Sequence, residues 1–158
     1  MAEISVTLND VKEARSAIRE HVNLTPCNLS PRLSERADCK FHLKMENMQR
    51  SGAYKDRGAM NAVLSLDDAG RKAGVIAASA GNHAQGLAFA AQANGIHATI
   101  VMPETAPIAK RKGTEKFGAE VVLHGNGYDD AFVRATELQK EKGYSFVHAF
   151  DDPRVIAG

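Results

Sequence analysis

Residues 75–86 read VIAASAGNHAQG, which is a short apolar run, a turn of small residues and the start of a helical pattern. Val75 to Ala78 predicts a buried strand, and Ser79 to Asn82 predicts a turn. The pattern from His83 to Ala93 predicts a helix that stops at Asn94-Gly95. A strand, a turn and a helix in this order are typical of an α/β protein.

Similar units follow along the chain. Apolar runs at 98–102, 121–123 and 144–147 alternate with helical patterns at 107–117 and 128–142. Apolar strands that alternate with amphipathic helices predict a parallel sheet with right-handed crossovers. We therefore expect an α/β fold with an open twisted parallel sheet and flanking helices.

The bulk composition argues against several classes of partner and site. The chain has 158 residues and a net charge of +1, which gives no reason to expect nucleic acid as a partner. No apolar run is long enough to cross a membrane, and the first residues lack the pattern of a secretion signal. Cys27 and Cys39 form no CxxC pair, and the six histidines are scattered. We therefore expect no metal site, two reduced thiols and a cytoplasmic location.

The region before the first α/β unit has shorter signals. Thr7 and Asp10 have the spacing of a capping box, which predicts the start of a helix. Residues 40–45 alternate polar and apolar side chains. Such alternation predicts a half-buried strand.

The stretch SGAYKDRGA, residues 51–59, places two cations where a helix begins. Lys55 and Arg57 fall in or near the first turn of that helix. A helix N-terminus carries a partial positive charge, so cations there are unfavourable, and functional sites are where such violations are expected. A solvated lysine after a turn is the plain alternative.

The stretch SAGNHAQG, residues 79–86, has the features of an anion-binding turn. It follows a predicted parallel strand and opens a helix, and ligands of open α/β sheets bind at that edge. Gly81 lets the backbone approach a ligand closely, while Asn82 and His83 add polar side chains. Leu87-Ala88 stands where a P-loop has Lys and Ser or Thr, so the stretch is no P-loop. A simple turn capped by Asn82 is the alternative.

Together these two stretches resemble the threonine/serine dehydratase family of fold-type II pyridoxal phosphate (PLP) enzymes, which also contains serine racemase. The similarity extends over the whole chain, including Met45 to Gln49 and Val101 to Pro103. The resemblance implies a fold like that of the tryptophan synthase β subunit. It also implies that this chain is the N-terminal part of a longer protein.

The resemblance predicts a division into domains. Residues 1–73 correspond to the N-terminal part of a large PLP domain, which sequence beyond residue 158 completes in relatives. Residues 74–150 correspond to a small α/β domain, and residues 151–158 return to the large domain. The glycine-rich loop for the PLP phosphate lies downstream in relatives.

The resemblance also implies roles for individual residues. Lys55 would form the Schiff base with PLP and remove a proton from the substrate Cα. Tyr54 would lie beside the cofactor ring, and Asn82 would hydrogen-bond its phenolic oxygen. Backbone and side-chain donors would hold the substrate carboxylate, and they come from Ser79, Gly81, Asn82 and His83.

Two neighbours of Lys55 carry further expectations. Arg57 and the helix N-terminus are expected to supply a positive field that favours the neutral amine of Lys55. Asp56 occupies a position that is often apolar in relatives. An ion pair with Arg57 is the role we expect for it.

The implied reaction is the PLP-dependent dehydration and deamination of L-threonine, and of L-serine, to a 2-oxo acid and ammonia. Ala80 favours a dehydratase, because serine racemases carry a second serine there as an acid/base and alanine cannot exchange a proton. The alternatives are serine racemase, hydroxyaspartate dehydratase and a truncated, non-catalytic ligand-binding fragment. A catabolic role and a role in isoleucine biosynthesis both stay open.

Partners besides the amino-acid substrate follow from the same resemblance. Some family members bind a nucleotide effector near positions that match Ser51 and Gln85. Both residues have the alternative of being ordinary solvated polar groups. We expect a homo-oligomer for the full-length protein, and neither a membrane nor a nucleic acid polymer as partner.

Overall fold

The computed structural model describes residues 6–158 and shows an α/β fold. Its N-terminal elements are α1 (Leu8–Ile18), β1 (Cys27–Leu29), α2 (Pro31–Ala37), β2 (His42–Lys44), α3 (Lys55–Leu64) and α4 (Asp68–Ala73). Strands and helices then alternate as β3 (Val75–Ala78), α5 (Asn82–Ala93), β4 (Ala98–Met102), α6 (Ile108–Glu115), β5 (Glu120–Leu123), α7 (Tyr128–Lys142), β6 (Ser145–Phe146) and α8 (Pro153–Ala157). The alternation predicted from residue 74 onward is confirmed.

The four later strands form one parallel sheet in the order β5-β4-β3-β6. The strands are short apolar runs, and helices carry the chain from the end of one strand to the start of the next. Gly143 ends α7 with a φ of 75°, the left-handed conformation that glycine adopts most readily at a helix end. Because the four strands are parallel, their carboxyl ends all lie at one edge of the sheet.

Helices cover both faces of this sheet. Alternate side chains of a strand point to opposite faces, and the structure divides those of β3 and β4 between two apolar clusters. One cluster joins α3 and α5 to the residues Val75, Ala77, Ile100 and Met102. The other joins α7 to the residues Ile76, Ala78 and Val101. A parallel sheet buried in this way needs the continuous apolar strands that the sequence shows.

The helix α3 is buried in the apolar cluster on one face of the parallel sheet. Its residues Ala59, Met60, Ala62 and Val63 are inaccessible to solvent. They share one apolar cluster with Ile18 of α1, with Val155 of α8 and with the sheet. The capping box predicted at Thr7 and Asp10 is present at the start of α1. The division into domains at residue 73 stays a prediction.

The strands β1 and β2 form a separate two-stranded antiparallel sheet. Every residue in these two strands is exposed, and so is Phe41 just before β2; Leu29, Phe41 and Leu43 are 51%, 38% and 40% exposed. The strand predicted in residues 40–45 exists, but the prediction that it is half-buried is wrong. Alternation indicates which face of a strand could be buried, and burial also needs a partner that reaches that face. None of the helices in residues 6–158 is long and apolar enough to span a bilayer.

Candidate active site around Lys55

Lys55 is the first residue of α3, as the sequence predicts. Its Nζ donates a hydrogen bond of 2.6 Å to the carbonyl oxygen of Ala149, which follows strand β6. The same nitrogen lies 5.2 Å from the centroid of the Tyr54 ring. A cavity of about 380 Å³ opens here, and its lining includes Tyr54, Lys55, Ala149 and Phe150. The amine is therefore held in a defined position at the wall of a cavity.

Close packing of two helices brings Lys55 beside α5. A Cβ atom added to Gly86 would lie 3.1 Å from the carbonyl carbon and oxygen of Lys55. Such a distance is shorter than ordinary van der Waals contact, so only glycine at position 86 allows this approach without a shift. The second glycine of the stretch SAGNHAQG thus has a packing role that its spacing did not reveal.

The turn from Ser79 to Gly81 leaves the start of α5 open. Within the described chain, no side chain caps this helix, whose N-cap is Gly81. The Oγ of Ser79 accepts a 3.3 Å hydrogen bond from the Gly81 backbone N–H, and a Cβ on Gly81 would meet no atom within 4 Å. Asn82 is exposed. Uncapped N–H groups at a helix N-terminus beside open space can bind an anion such as a carboxylate.

His83 is buried, and its ring is held from within the protein. Its Nε2 lies 3.0 Å from the carbonyl oxygen of Val147. A carbonyl can only accept, so Nε2 carries the proton and donates it. Burial, and to a smaller extent the nearby charge of Lys55, lowers the pKa of His83 to about 4. The ring is therefore neutral at pH 7 with its one N–H already used, which leaves the backbone N–H of His83 for the predicted contact with a carboxylate.

Arg57 pairs with Glu46 and not with Asp56. Its Nε and Nη2 donate hydrogen bonds of 2.8 and 2.7 Å to the two carboxylate oxygens of Glu46. The hydrogen bonds from Arg57 lower the pKa of Glu46 to about 2. The predicted ion pair between Asp56 and Arg57 is therefore wrong, because Glu46, from the 3-10 helix Glu46–Met48, is the bidentate partner of the guanidinium. Glu46 also offsets the positive field that Arg57 was expected to supply at Lys55.

Asp56 is fully buried, and it organises the turn before α3. Its carboxylate accepts a 3.0 Å hydrogen bond from the backbone N–H of Ser51 and a second, short one from the Ser51 hydroxyl. Gln85 packs against the backbone of Gly113 on α6. Both predicted effector residues, Ser51 and Gln85, thus contact other parts of the chain, and their role in effector binding stays a prediction.

Comparison with known proteins identifies the family. Residues 18–158 match the family model described as pyridoxal-phosphate dependent enzyme. The chain therefore belongs to this family, whose cofactor is pyridoxal phosphate.

Individual relatives agree with that assignment. Over 153 residues, or 97% of the chain, it is 50% identical to L-threonine ammonia-lyase from Thermotoga maritima, of which it spans 38%. It is 46% identical to a catabolic L-threonine dehydratase from Staphylococcus aureus, again over 97% of the chain and 44% of that protein. The solved structure of serine racemase from Dictyostelium discoideum superposes with a TM-score of 0.91 at 34% identity, over 97% of this chain and 50% of that one. The chain thus spans half or less of the length of these proteins, and the fold-type II architecture is confirmed.

Two groups around Lys55 were missed by sequence reasoning. The Ala149 carbonyl is a backbone group, so its residue type carried no signal. Glu46 lies in the stretch Met45 to Gln49, whose residues contributed only to the family resemblance, and only the fold brings its carboxylate to Arg57. Across residues 6–158 no cluster of three or more His, Cys, Asp or Glu side chains forms a metal site.

Proposed function

We propose that the protein carrying this chain is a PLP-dependent ammonia-lyase that converts L-threonine, and L-serine, to a 2-oxo acid and ammonia. The observation that carries the proposal is the position of one amine. Lys55 Nζ is fixed on Ala149 at a cavity wall, and the backbone of Lys55 packs against the helix whose uncapped N-terminus faces open space. A reactive amine and a carboxylate-binding turn are the two parts that this chemistry requires of the protein.

The residues present fit the cofactor. Lys55 offers a primary amine in a cavity of about 380 Å³, which is within the size range of small-molecule sites. Tyr54 is 59% exposed beside that amine, so its ring has a free face for the ring of the cofactor. Lys55 would hold PLP covalently, with Tyr54 as its neighbour in the same cavity, and Asn82, which does not line that cavity, would reach the cofactor from the start of α5. When bound, PLP supplies an electron sink for the negative charge that develops at the substrate Cα.

The side chains and backbone of this chain would act on the amino-acid substrate in two ways. The N–H groups at the start of α5, together with Ser79 and Asn82, would bind and orient its carboxylate. Lys55, whose amine would be free again once the substrate amine has taken its place on the cofactor, would accept the proton from Cα, which prepares the loss of the β-hydroxyl group. For threonine the net products are 2-oxobutanoate and ammonia.

Dehydration is favoured over racemisation by a single side chain. Racemisation needs a second acid/base on the face of the substrate opposite Lys55. The turn carries Ala80 at the position where the resembling racemases carry serine, and a methyl group cannot donate or accept a proton. The named threonine ammonia-lyase and dehydratase relatives support the same choice.

Other features belong to the same proposal. The chain would be the N-terminal part of a longer protein, with its phosphate-binding loop downstream of residue 158 and the domain boundaries at 73 and 150. A homo-oligomeric assembly, a cytoplasmic location and a nucleotide effector near Ser51 and Gln85 would complete the description.

The test compares three forms of the full-length protein after incubation with PLP. Wild type should show a visible absorbance band that survives dialysis, and borohydride reduction should leave a pyridoxyl group on the peptide containing Lys55. It should also release 2-oxobutanoate from threonine. Lys55→Ala should lose the band, the modified peptide and the product. Lys112→Ala, which removes an exposed lysine of α6, should behave like wild type. An unchanged visible absorbance band in Lys55→Ala would contradict the proposal.

A further inference from the structure

His83 combines deep burial with an incomplete set of hydrogen bonds. The residue is 3% exposed. Its Nε2 donates to Val147, whereas its Nδ1 is buried without a partner among the residues that the structure describes. A buried acceptor that lacks a partner is unfavourable, so the imidazole carries a cost that its hydrogen bond to Val147 must offset. Packing alone therefore does not account for an imidazole at this position.

The partner of His83 lies next to the partner of Lys55. Strand β6 is held to the sheet by the Val147 N–H, which donates a 3.0 Å hydrogen bond to Ile76. The carbonyl of the same residue accepts from His83 at 3.0 Å. Two residues further on, the carbonyl of Ala149 accepts from Lys55 Nζ at 2.6 Å. Two side chains from different helices thus hold one short segment, residues 147–149, where it leaves the sheet.

We infer that His83 is a positioning residue for Lys55, which acts by fixing the segment 147–149 and with it the Ala149 carbonyl that holds the lysine amine. This role rests on the proposed function of Lys55 and adds a residue to it. The imidazole suits the task because burial keeps it neutral, so it donates from a single nitrogen in a fixed direction. Without the hydrogen bond from His83 to Val147, the segment 147–149 becomes more mobile, and the hydrogen bond from Lys55 Nζ to the Ala149 carbonyl is formed for a smaller fraction of the time.

The test measures the reactivity of individual lysines in the cofactor-free chain. A limiting amount of acetic anhydride labels amines, and peptide mass spectrometry reads the labelling of Lys55 relative to exposed Lys112. Lys44 is the matched control, because its Nζ also donates to a backbone carbonyl, that of Thr25, at 2.7 Å. His83→Leu should raise the labelling of Lys55 about fivefold, the factor expected for one net hydrogen bond, and leave that of Lys44 unchanged.

A second variant separates the hydrogen bond from the shape of the side chain. His83→Gln places an amide N–H close to the position of Nε2, so labelling of Lys55 should stay within about twofold of wild type. The inference is overturned if Lys55 labelling in His83→Leu stays near wild type, if Lys44 rises with it, or if the glutamine variant rises as much as the leucine variant. His83→Met replaces the leucine variant if the latter does not fold.

One measurement needs no variant. Nitrogen NMR of the histidine rings in the wild-type chain should show protonated Nε2 and unprotonated Nδ1 for His83 at pH 7. The opposite tautomer, or a charged ring, would overturn the inference. None of these readouts requires PLP, so a failed positioning role and a failed proposed function appear in different experiments.

Discussion

Arg57 and Glu46 form a bidentate ion pair between the first turn of α3 and the short 3-10 helix Glu46–Met48 that precedes it. The two hydrogen bonds are 2.8 and 2.7 Å long, and Thr25 donates a third, of 2.6 Å, to the same carboxylate. Because Arg57 lies two residues after Lys55, the pair ties the start of the lysine helix to the N-terminal region. Its second consequence is electrostatic, since the Glu46 carboxylate offsets the positive charge of Arg57, which lines the same cavity as Lys55.

Loss of the Glu46 charge should destabilise the chain. Glu46→Gln keeps the shape of the side chain and removes the carboxylate, so Arg57 is left partly buried with weaker hydrogen bonds. We expect a loss of about 2 kcal/mol in the free energy of unfolding, measured by urea denaturation at pH 7. Glu115→Gln is the control, because it breaks the exposed pair with Arg111 and should cost about 0.5 kcal/mol or less. Equal losses of unfolding free energy in the two variants would show that the Glu46–Arg57 pair stabilises the chain no more than an exposed ion pair does.

The same pair predicts the acid dependence of stability. The pKa of Glu46 falls from 4.5 to about 2 in the folded chain, chiefly through the hydrogen bonds from Arg57. A carboxylate with a lowered folded-state pKa contributes stability above pH 4.5, and that contribution is lost as the pH falls towards 2. Unfolding free energies between pH 6 and pH 2 should therefore decrease more steeply in wild type than in Glu46→Gln, with the two curves converging near pH 2. Parallel curves would contradict the assignment.

The sheet could be predicted from the sequence because its strands are unbroken apolar runs between helical patterns. Val75–Ala78 and Ala98–Met102 occur at the predicted residues, since strands buried on both faces have little freedom in composition. The exposure of Phe41 and Leu43 could not be predicted in the same way. Their alternating pattern depends on neighbours that only the fold defines.

The candidate site also has parts that the sequence could predict and parts that it could not. The position of Lys55 at the start of α3 and the turn after β3 were predictable from the helical pattern and from a glycine at a strand end, whereas the roles of these residues rest on the family resemblance. The Ala149 carbonyl and the Glu46 carboxylate were not predictable, because only the fold brings Ala149 to Lys55 from a distant part of the chain and determines which cation Glu46 meets. The same holds for the tautomer of His83, which depends on which group its ring meets.

The contact of Gly86 with Lys55 predicts that the two glycines of the stretch SAGNHAQG, Gly81 and Gly86, respond differently to replacement by alanine. In Gly86→Ala the new Cβ would meet the Lys55 backbone at 3.1 Å. Overpacking of about 2 kcal/mol should outweigh the roughly 1 kcal/mol gained from the helix propensity of alanine, so the variant should be less stable by about 1 kcal/mol. In Gly81→Ala the new Cβ would meet no atom within 4 Å, so the free energy of unfolding should stay within about 0.5 kcal/mol of the wild-type value. Urea denaturation of the two variants measures the difference, and a Gly86→Ala chain more stable than wild type would refute the packing argument.

Ala80 provides the sharpest test of reaction specificity. The residue lies in the turn between β3 and α5, half-buried against the main apolar cluster, so a serine hydroxyl fits there at small cost. In Ala80→Ser the hydroxyl gives the opposite face of the substrate an acid/base, which contributes a factor of about 100 or more to proton transfer where it is well placed. We therefore expect the ratio of serine racemisation to serine deamination in the full-length protein to rise at least about tenfold, as followed by chiral chromatography and 2-oxo acid release. Ala109→Ser, on the exposed face of α6, should leave the ratio unchanged. Wild-type protein that racemises serine as fast as it deaminates it would show that the second proton comes from elsewhere.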